Sequence, residues 1–202
     1  MVVNYLADWA FGHYRSVPYP EENLGTLCGI IPINMPHGID QHTLGFSRPG
    51  SYLDNCWMSR IWEYLPVDGT VYPHVIPITL QTSHGMNGSI TQGELAVIIR
   101  AMRNRSRQPA VFDEEADPDD LDKWPVSIDA MDEEALLFKN EKRFPVLMAS
   151  ILHPQQGRII YACLHGAQLA IRLSKLYNFR NRKSAPLELF ACMLLSHPLN
   201  ET

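Results

Sequence analysis

The chain's eight histidines are its best material for acid–base chemistry, because imidazole can gain or lose a proton near neutral pH. They are His13, His37, His42, His74, His84, His153, His165 and His197. His37 and His42 flank Asp40 in the segment PHGIDQH, and His84 lies in the Gly/Ser segment SHGMNGS. A carboxylate close to a histidine can orient its ring for proton transfer. We therefore predict His37, Asp40, His42 and His84 as the catalytic residues of an acid–base site.

His84 also lies just before the clearest helix start in the chain. Thr91 and Glu94 have the spacing of a capping box, and an apolar stripe at helical spacing follows them. The amino end of a helix favours negative charge, so a substrate oxygen that gains charge beside His84 would be stabilised there. The loop lacks the lysine of a phosphate-binding loop, so it does not indicate a nucleotide site.

No motif indicates a metal or a cofactor, and we expect neither. The spacing between His37 and His42 is not an established metal motif, and the chain has no HExxH, GxSxG or GxGxxG segment. His153 and His165 would lie at opposite ends of a predicted hairpin, about 23 Å apart, so they cannot share an ion. The sequence therefore predicts a site built from the loop histidines and without His153 or His165.

The elements that would position these residues centre on 144–177. Apolar residues fill both alternating faces of its first two segments, which is typical of strands covered on both sides. The sequence PQQG and the pair Gly166–Ala167 supply the turns. The pattern predicts a three-stranded antiparallel meander over 144–177.

The predicted fold class is α+β, an antiparallel sheet built on this meander with three helices packed on it. Helical spacing of apolar residues predicts those helices at 51–65, 92–106 and 185–196. Residues 71–81 have an extended pattern and should add to the sheet. Pro73 and Pro77 remove amide donors there, which favours an edge strand or a broken one.

We expect a single domain over 1–202 with an irregular N-terminal arm (1–50) and an acidic surface insertion (about 110–141). Half of the chain's 22 acidic residues lie between Asp113 and Glu134. Two interpretations of this segment stay open. It is either a solvated acidic loop or a cover for a basic face of the core.

The composition of the chain limits the classes of partner that we expect. A net charge of −5 has no nucleic-acid signature, and the chain has no run of apolar residues long enough to span a membrane. The four cysteines form no CxxC pair, which favours free thiols in a reducing compartment. We expect a cytoplasmic protein, with the nucleus as an alternative, that takes a small-molecule ligand and contacts neither membrane nor nucleic acid.

The order helix, three strands, helix from residue 91 also occurs in restriction-endonuclease-like nucleases. Those enzymes need acidic residues on the second and third strands to hold a divalent cation. No Asp or Glu occurs between Lys142 and Leu187, so the sequence argues against nuclease chemistry.

Three segments, ITQGELAVIIRAM, FPVLMASILHPQQGRIIYACLHGAQLAIRLSKLYNF and APLELFACMLLSHPL, carry a resemblance over 90–198. The pattern resembles a group of uncharacterised proteins of filamentous fungi. Those proteins have Gly-Pro-Gln-His near the end of the first strand, where this chain has His153 followed by Pro-Gln-Gln. The resemblance implies a fungal intracellular protein and transfers no activity.

The sequence thus favours a small-molecule-binding protein and, within that class, a cofactor-independent acid–base tailoring enzyme of fungal metabolism. The alternative is a non-catalytic protein-interaction module that uses the acidic insertion and the basic helix ends. A pocket lined by histidines would indicate the enzyme, and a flat charged surface would indicate the interaction module.

Overall fold

The computed structural model describes residues 24–33, 42–46, 56–66, 69–110, 132–181 and 183–198. Its helices are α1 (Leu24–Leu27), α2 (Gln92–Ser106), α3 (Leu187–Leu194) and a 3-10 helix (Glu133–Ala135). Its strands are β1 (Ile30–Pro32), β2 (His42–Phe46), β3 (Cys56–Tyr64), β4 (Ile76–His84), β5 (Val146–His153), β6 (Gln156–His165), β7 (Gln168–Leu173) and β8 (Tyr177–Asn178). The predicted α+β class is confirmed.

The described strands form one eight-stranded sheet in the order β1-β3-β4-β5-β6-β7, with β2 also paired to β3 and β8 to β6. The expectation of an antiparallel sheet is wrong, because β4 and β5 are parallel. Helix α2 lies between these two strands in the chain, and a helical crossover returns the chain so that both strands run the same way. Strands β5, β6 and β7 are consecutive antiparallel neighbours.

The predicted helix over 51–65 is wrong, because Cys56–Tyr64 forms strand β3. Its last four side chains, 61–64, are buried on both faces of the sheet: Ile61 packs with one core cluster, and Trp62 and Tyr64 pack with the other. A strand covered on both sides has no polar face, so its apolar residues match helical spacing as readily as strand spacing.

Strand β4 is interior, between β3 and β5, so the edge position expected from its prolines is wrong. Pro77 nevertheless interrupts the hydrogen-bond ladder between β4 and β5. The Leu147 amide donates to the Val75 carbonyl, and the pairing resumes in the same register only at Ile78 with Ala149. Because proline has no N–H, the ladder is interrupted at Pro77 and continues beyond it.

One helix covers each face of the sheet. On the face of α2, Val97, Ile98 and Met102 pack against residues of β5 and β6 such as Met148 and Ile160. On the opposite face, α3 supplies Phe190 and Leu194 to a second cluster. Helix α2 begins and ends as predicted, and both capping-box hydrogen bonds between Thr91 and Glu94 are present.

Helix α3 lies within the predicted range 185–196. No helix in the described part of the chain is both long enough and apolar enough to cross a membrane.

Candidate functional site

Because β4 and β5 are parallel, their carboxyl ends meet at one edge of the sheet. Strand β4 ends at His84 and β5 ends at His153, and these two residues are paired across the ladder. Open sheets with parallel strands most often bind ligands beyond these carboxyl ends. The edge that carries His84 and His153 is therefore the first candidate site.

An irregularity in β4 brings the two histidines into contact. Leu80 pairs with Ile151 and the next pair is His84 with His153, so β4 takes four residues where β5 takes two. Extra residues of this kind redirect side chains and are frequent beside functional sites. Nε2 of His84 lies 3.4 Å from Nδ1 of His153, and the ring centroids are 5.0 Å apart. Both residues are exposed, so solutes can reach the two rings.

A buried ion pair anchors the loop that follows His84. The side chains of Glu94 on α2 and Arg158 on β6 are both fully buried. Arg158 donates from Nε to Oε1 of Glu94 at 2.8 Å, and its Nη2 contacts the other carboxylate oxygen. Its Nη1 donates to the carbonyl oxygen of Met86 at 3.1 Å. The guanidinium therefore ties α2, β6 and the loop next to His84 into one unit.

The ion pair is structural. Burial raises the pKa of the Glu94 carboxyl, but hydrogen bonds with Arg158, the Thr91 amide and Ser150 lower it by more, so it lies below its usual value. Glu94 is thus ionised at neutral pH and its charge is balanced by Arg158. Gln81 extends this polar layer, donating to Oγ of Ser150 at 3.1 Å and accepting from Oγ1 of Thr91 at 2.8 Å. These groups are engaged with one another, so they hold the polar layer and the loop after His84 together and offer no proton for transfer.

The four predicted catalytic residues are only partly placed. His37 and Asp40 lie outside the described residues, so their role stays a prediction. His42 begins β2, where it pairs with Arg60 of β3, and only its backbone is described. His84 lies at the sheet edge. The convergence of His42 with His84 also stays a prediction.

The structure joins His84 to His153, a residue that the sequence predicts away from the site. His165 does lie at the opposite end of the β5–β6 hairpin from His153, because β5 and β6 are antiparallel. Its partner on β7 is Gln168. The contact between His84 and His153 depends on the parallel pairing of β4 with β5. A helix between two extended segments was the signal in the sequence that could have indicated this pairing.

A second candidate is an open groove of about 390 Å³ on the face of the sheet that carries α3. Its apolar lining includes Leu147, Ile159, Tyr161, Leu189 and Met193. Arg172 of β7 is the charged residue of the described lining, which contains no histidine. The groove therefore differs in chemistry and in position from the histidine edge.

Some polar groups around this groove have partners within the chain and others do not. Oγ of Ser174 accepts from the Ile159 amide at 3.0 Å and contacts the Lys175 carbonyl oxygen at 2.9 Å, so its hydrogen bonds are made within the chain. Nζ of Lys175 lies 5.3 Å from the centroid of the Tyr177 ring, and Lys175 is not one of the residues that line the groove. Among the described residues, Arg172 has no acidic partner. Its guanidinium is the group in the lining that a ligand can engage.

Within the described ranges, no group of three or more His, Cys, Asp or Glu residues could hold a metal ion. No protein-family model, curated protein or solved structure matches the chain. The resemblance to fungal proteins stays a prediction.

Proposed function

We propose that this protein binds a small molecule with an apolar body and a carboxylate in the groove between α3 and strands β5–β7. The observation that carries the proposal is Arg172, a cation without an acidic partner among the described residues, in a mostly apolar lining. Small-molecule sites are commonly concavities of about 300–1,000 Å³ with mostly apolar walls and a few polar groups that orient the ligand. The groove, at about 390 Å³, fits that description.

The apolar body and the carboxylate of the ligand are each inferred from a different feature of the groove. Tyr161, Leu189 and Met193 are between 36% and 40% exposed, so an apolar body laid on them removes their remaining surface from water. The planar guanidinium of Arg172 matches a carboxylate with two parallel hydrogen bonds. Arg172 is exposed, and an exposed ion pair contributes about 0.2–1 kcal/mol, so a carboxylate should bind up to about fivefold more tightly than the matching amide.

Catalysis has less support than binding. The described groove lining contains no histidine, and the contact between His84 and His153 lies at a different edge. The interaction-module alternative also loses part of its basis. Arg105, one of the basic residues at the end of α2, is fully buried in an ion pair with Glu63 and is not available to a partner. The proposal is therefore a binding protein, with no reaction assigned to it.

The test is a titration of the ¹⁵N- and methyl-labelled chain, followed by NMR, with indole-3-acetate, phenylacetate and octanoate and with their neutral amides. We expect the Leu189 and Met193 methyl signals to shift with the acids and to shift less with the amides. Arg172→Gln should remove the preference for the acid. Arg180→Gln is the matched control, because Arg180 is exposed and outside the groove lining.

Two outcomes would contradict the proposal. One is the absence of shifts at the groove methyls with every acid of the panel. The other is an equal loss of acid preference in Arg172→Gln and Arg180→Gln, which would show that general charge and not the groove binds the anion.

A further inference from the structure

The distance between the ring nitrogens of His84 and His153 is longer than in an ordinary hydrogen bond. Their nitrogens Nε2 and Nδ1 are 3.4 Å apart, whereas hydrogen bonds with a nitrogen donor centre on about 2.9–3.0 Å. The ring planes meet at 73° and both residues are exposed at the end of the sheet. The strand pairing of β4 with β5 brings the backbones of the two residues side by side.

That separation matches the distance between two ligands of one tetrahedral metal ion. Histidine nitrogens bind Zn²⁺ at 2.0–2.1 Å, so two of them at a tetrahedral angle are about 3.3–3.4 Å apart. At the right angle of a square-planar or octahedral site, bonds of that length would place the nitrogens about 2.8–3.0 Å apart. The observed 3.4 Å therefore favours a tetrahedral ion.

The surroundings suit a cation. The nearby guanidinium of Arg158 is fully buried and its charge is balanced by Glu94, so it does not leave an unpaired positive charge beside the two rings. The same ion pair holds the Met86 carbonyl in the loop after His84. Strand pairing with β4 fixes the backbone of His153. An ion would then meet two nitrogens already near their final positions, which lowers the ordering cost of binding.

From this geometry we infer that Nε2 of His84 and Nδ1 of His153 form a two-histidine site for a tetrahedral divalent transition metal such as Zn²⁺. Two protein ligands leave two coordination positions, which water or an oxygen or nitrogen group of a bound molecule would fill. The inference goes beyond the proposed function and is independent of it, because the groove ligand uses neither histidine. It also departs from the expectation of a metal-free protein, which considered His153 only together with His165.

The test uses the full chain without an affinity tag and Zn²⁺ alone, titrated by calorimetry. Co²⁺ serves as the spectroscopic probe, because tetrahedral Co²⁺ absorbs visible light much more strongly than octahedral Co²⁺. We expect one Zn²⁺-binding event that His84→Gln and His153→Gln each weaken by about tenfold or more. Even the loss of a group that only orients a metal ligand costs 10–100-fold in affinity. His165→Gln is the control, an exposed histidine at the other end of β6.

The ¹⁵N signals of the imidazoles in the unchanged chain provide a second reading that does not depend on the folding of any variant. Zn²⁺ should shift Nε2 of His84 and Nδ1 of His153 in the same titration step. The inference is overturned if Zn²⁺ leaves both nitrogens unshifted. It is equally overturned if wild-type affinity survives both substitutions, or if only one of the two histidines affects binding. Failure of this test would leave the groove experiment unaffected.

Discussion

Glu94 and Arg158 form an ion pair in which neither side chain reaches solvent. Such a pair is costly to break on one side, because the remaining charge has neither water nor a partner. Arg158→Met should lower the free energy of unfolding by about 3–5 kcal/mol, measured by urea denaturation. Adding Glu94→Gln to this variant should recover part of the loss, since no buried charge then remains.

Lys139 and Glu134 provide the comparison for that experiment. Their ion pair is exposed, with 46% and 80% of the two side chains accessible. Lys139→Met should leave the urea midpoint unchanged, because water screens the pair. An Arg158→Met protein as stable as the Lys139→Met protein would contradict the structural role of the buried pair.

Tyr64 is a residue whose environment predicts an alkaline effect. Burial raises the pKa of its hydroxyl from 10.0 to about 12, and the hydroxyl donates to the Ser196 carbonyl oxygen at 2.7 Å. Because the folded pKa is above the unfolded one, this contribution to stability is complete below pH 10 and is lost as the pH rises towards about 12. Near-ultraviolet absorbance should show a tyrosine ionisation near pH 12, and Tyr64→Phe should remove that step. The substitution should also cost about 0.5–1.5 kcal/mol for the lost hydrogen bond. A late step that persists in Tyr64→Phe would assign it to another tyrosine.

At the scale of the element, helix α2 places two isoleucines of adjacent sequence in opposite environments. Ile98 is 0% exposed in the core and Ile99 is 49% exposed. Ile98→Ala should destabilise the protein by about 2–4 kcal/mol, because it removes buried methyl groups and leaves a cavity. Ile99→Ala should stay within about 0.5 kcal/mol of the wild type. Equal losses for the two variants, measured by denaturant unfolding, would mean that α2 is rotated about its axis relative to this structure.

At the scale of the whole molecule, the two described ends of the long segment between α2 and β5 lie side by side. The Ala110 amide donates to the Ala135 carbonyl at 2.9 Å, and the Leu137 amide donates to the Gln108 carbonyl at 2.8 Å. Replacing 113–131 by a short Gly/Ser linker should therefore leave stability nearly unchanged. Loop-closure entropy changes by only about 0.6 kcal/mol for each doubling of length.

A longer deletion tests where the dispensable part of the segment between α2 and β5 ends. Leu136 is only 7% exposed, and Glu133–Ala135 forms a 3-10 helix before it. Extending the deletion to Leu137 should destabilise the protein, because it removes a buried side chain and the bonds to 108–110. If the shorter deletion already prevents cooperative thermal unfolding, the acidic segment contributes to the core.

Local patterns alone determined several elements. The capping box of Thr91 and Glu94 and the apolar stripe behind it predicted α2 with its observed bounds. Gly166 adopts a φ of 60° in the turn between β6 and β7, as a two-residue hairpin with glycine first requires. These features depend on neighbours within a few residues, so a sequence can specify them without reference to the rest of the chain.

The tertiary structure decided which elements lie side by side. In β3 the residues 61–64 are buried on both faces of the sheet, so the pattern could not separate strand from helix until the rest of the sheet supplied neighbours. His84 and His153 are 69 residues apart in sequence, and Glu94 and Arg158 are 64 apart. Burial of apolar area drives folding but is non-directional, so it indicates that a segment is covered and not what covers it. The pairing of β4 with β5, and with it the contact between the two histidines, follows only from packing the whole chain.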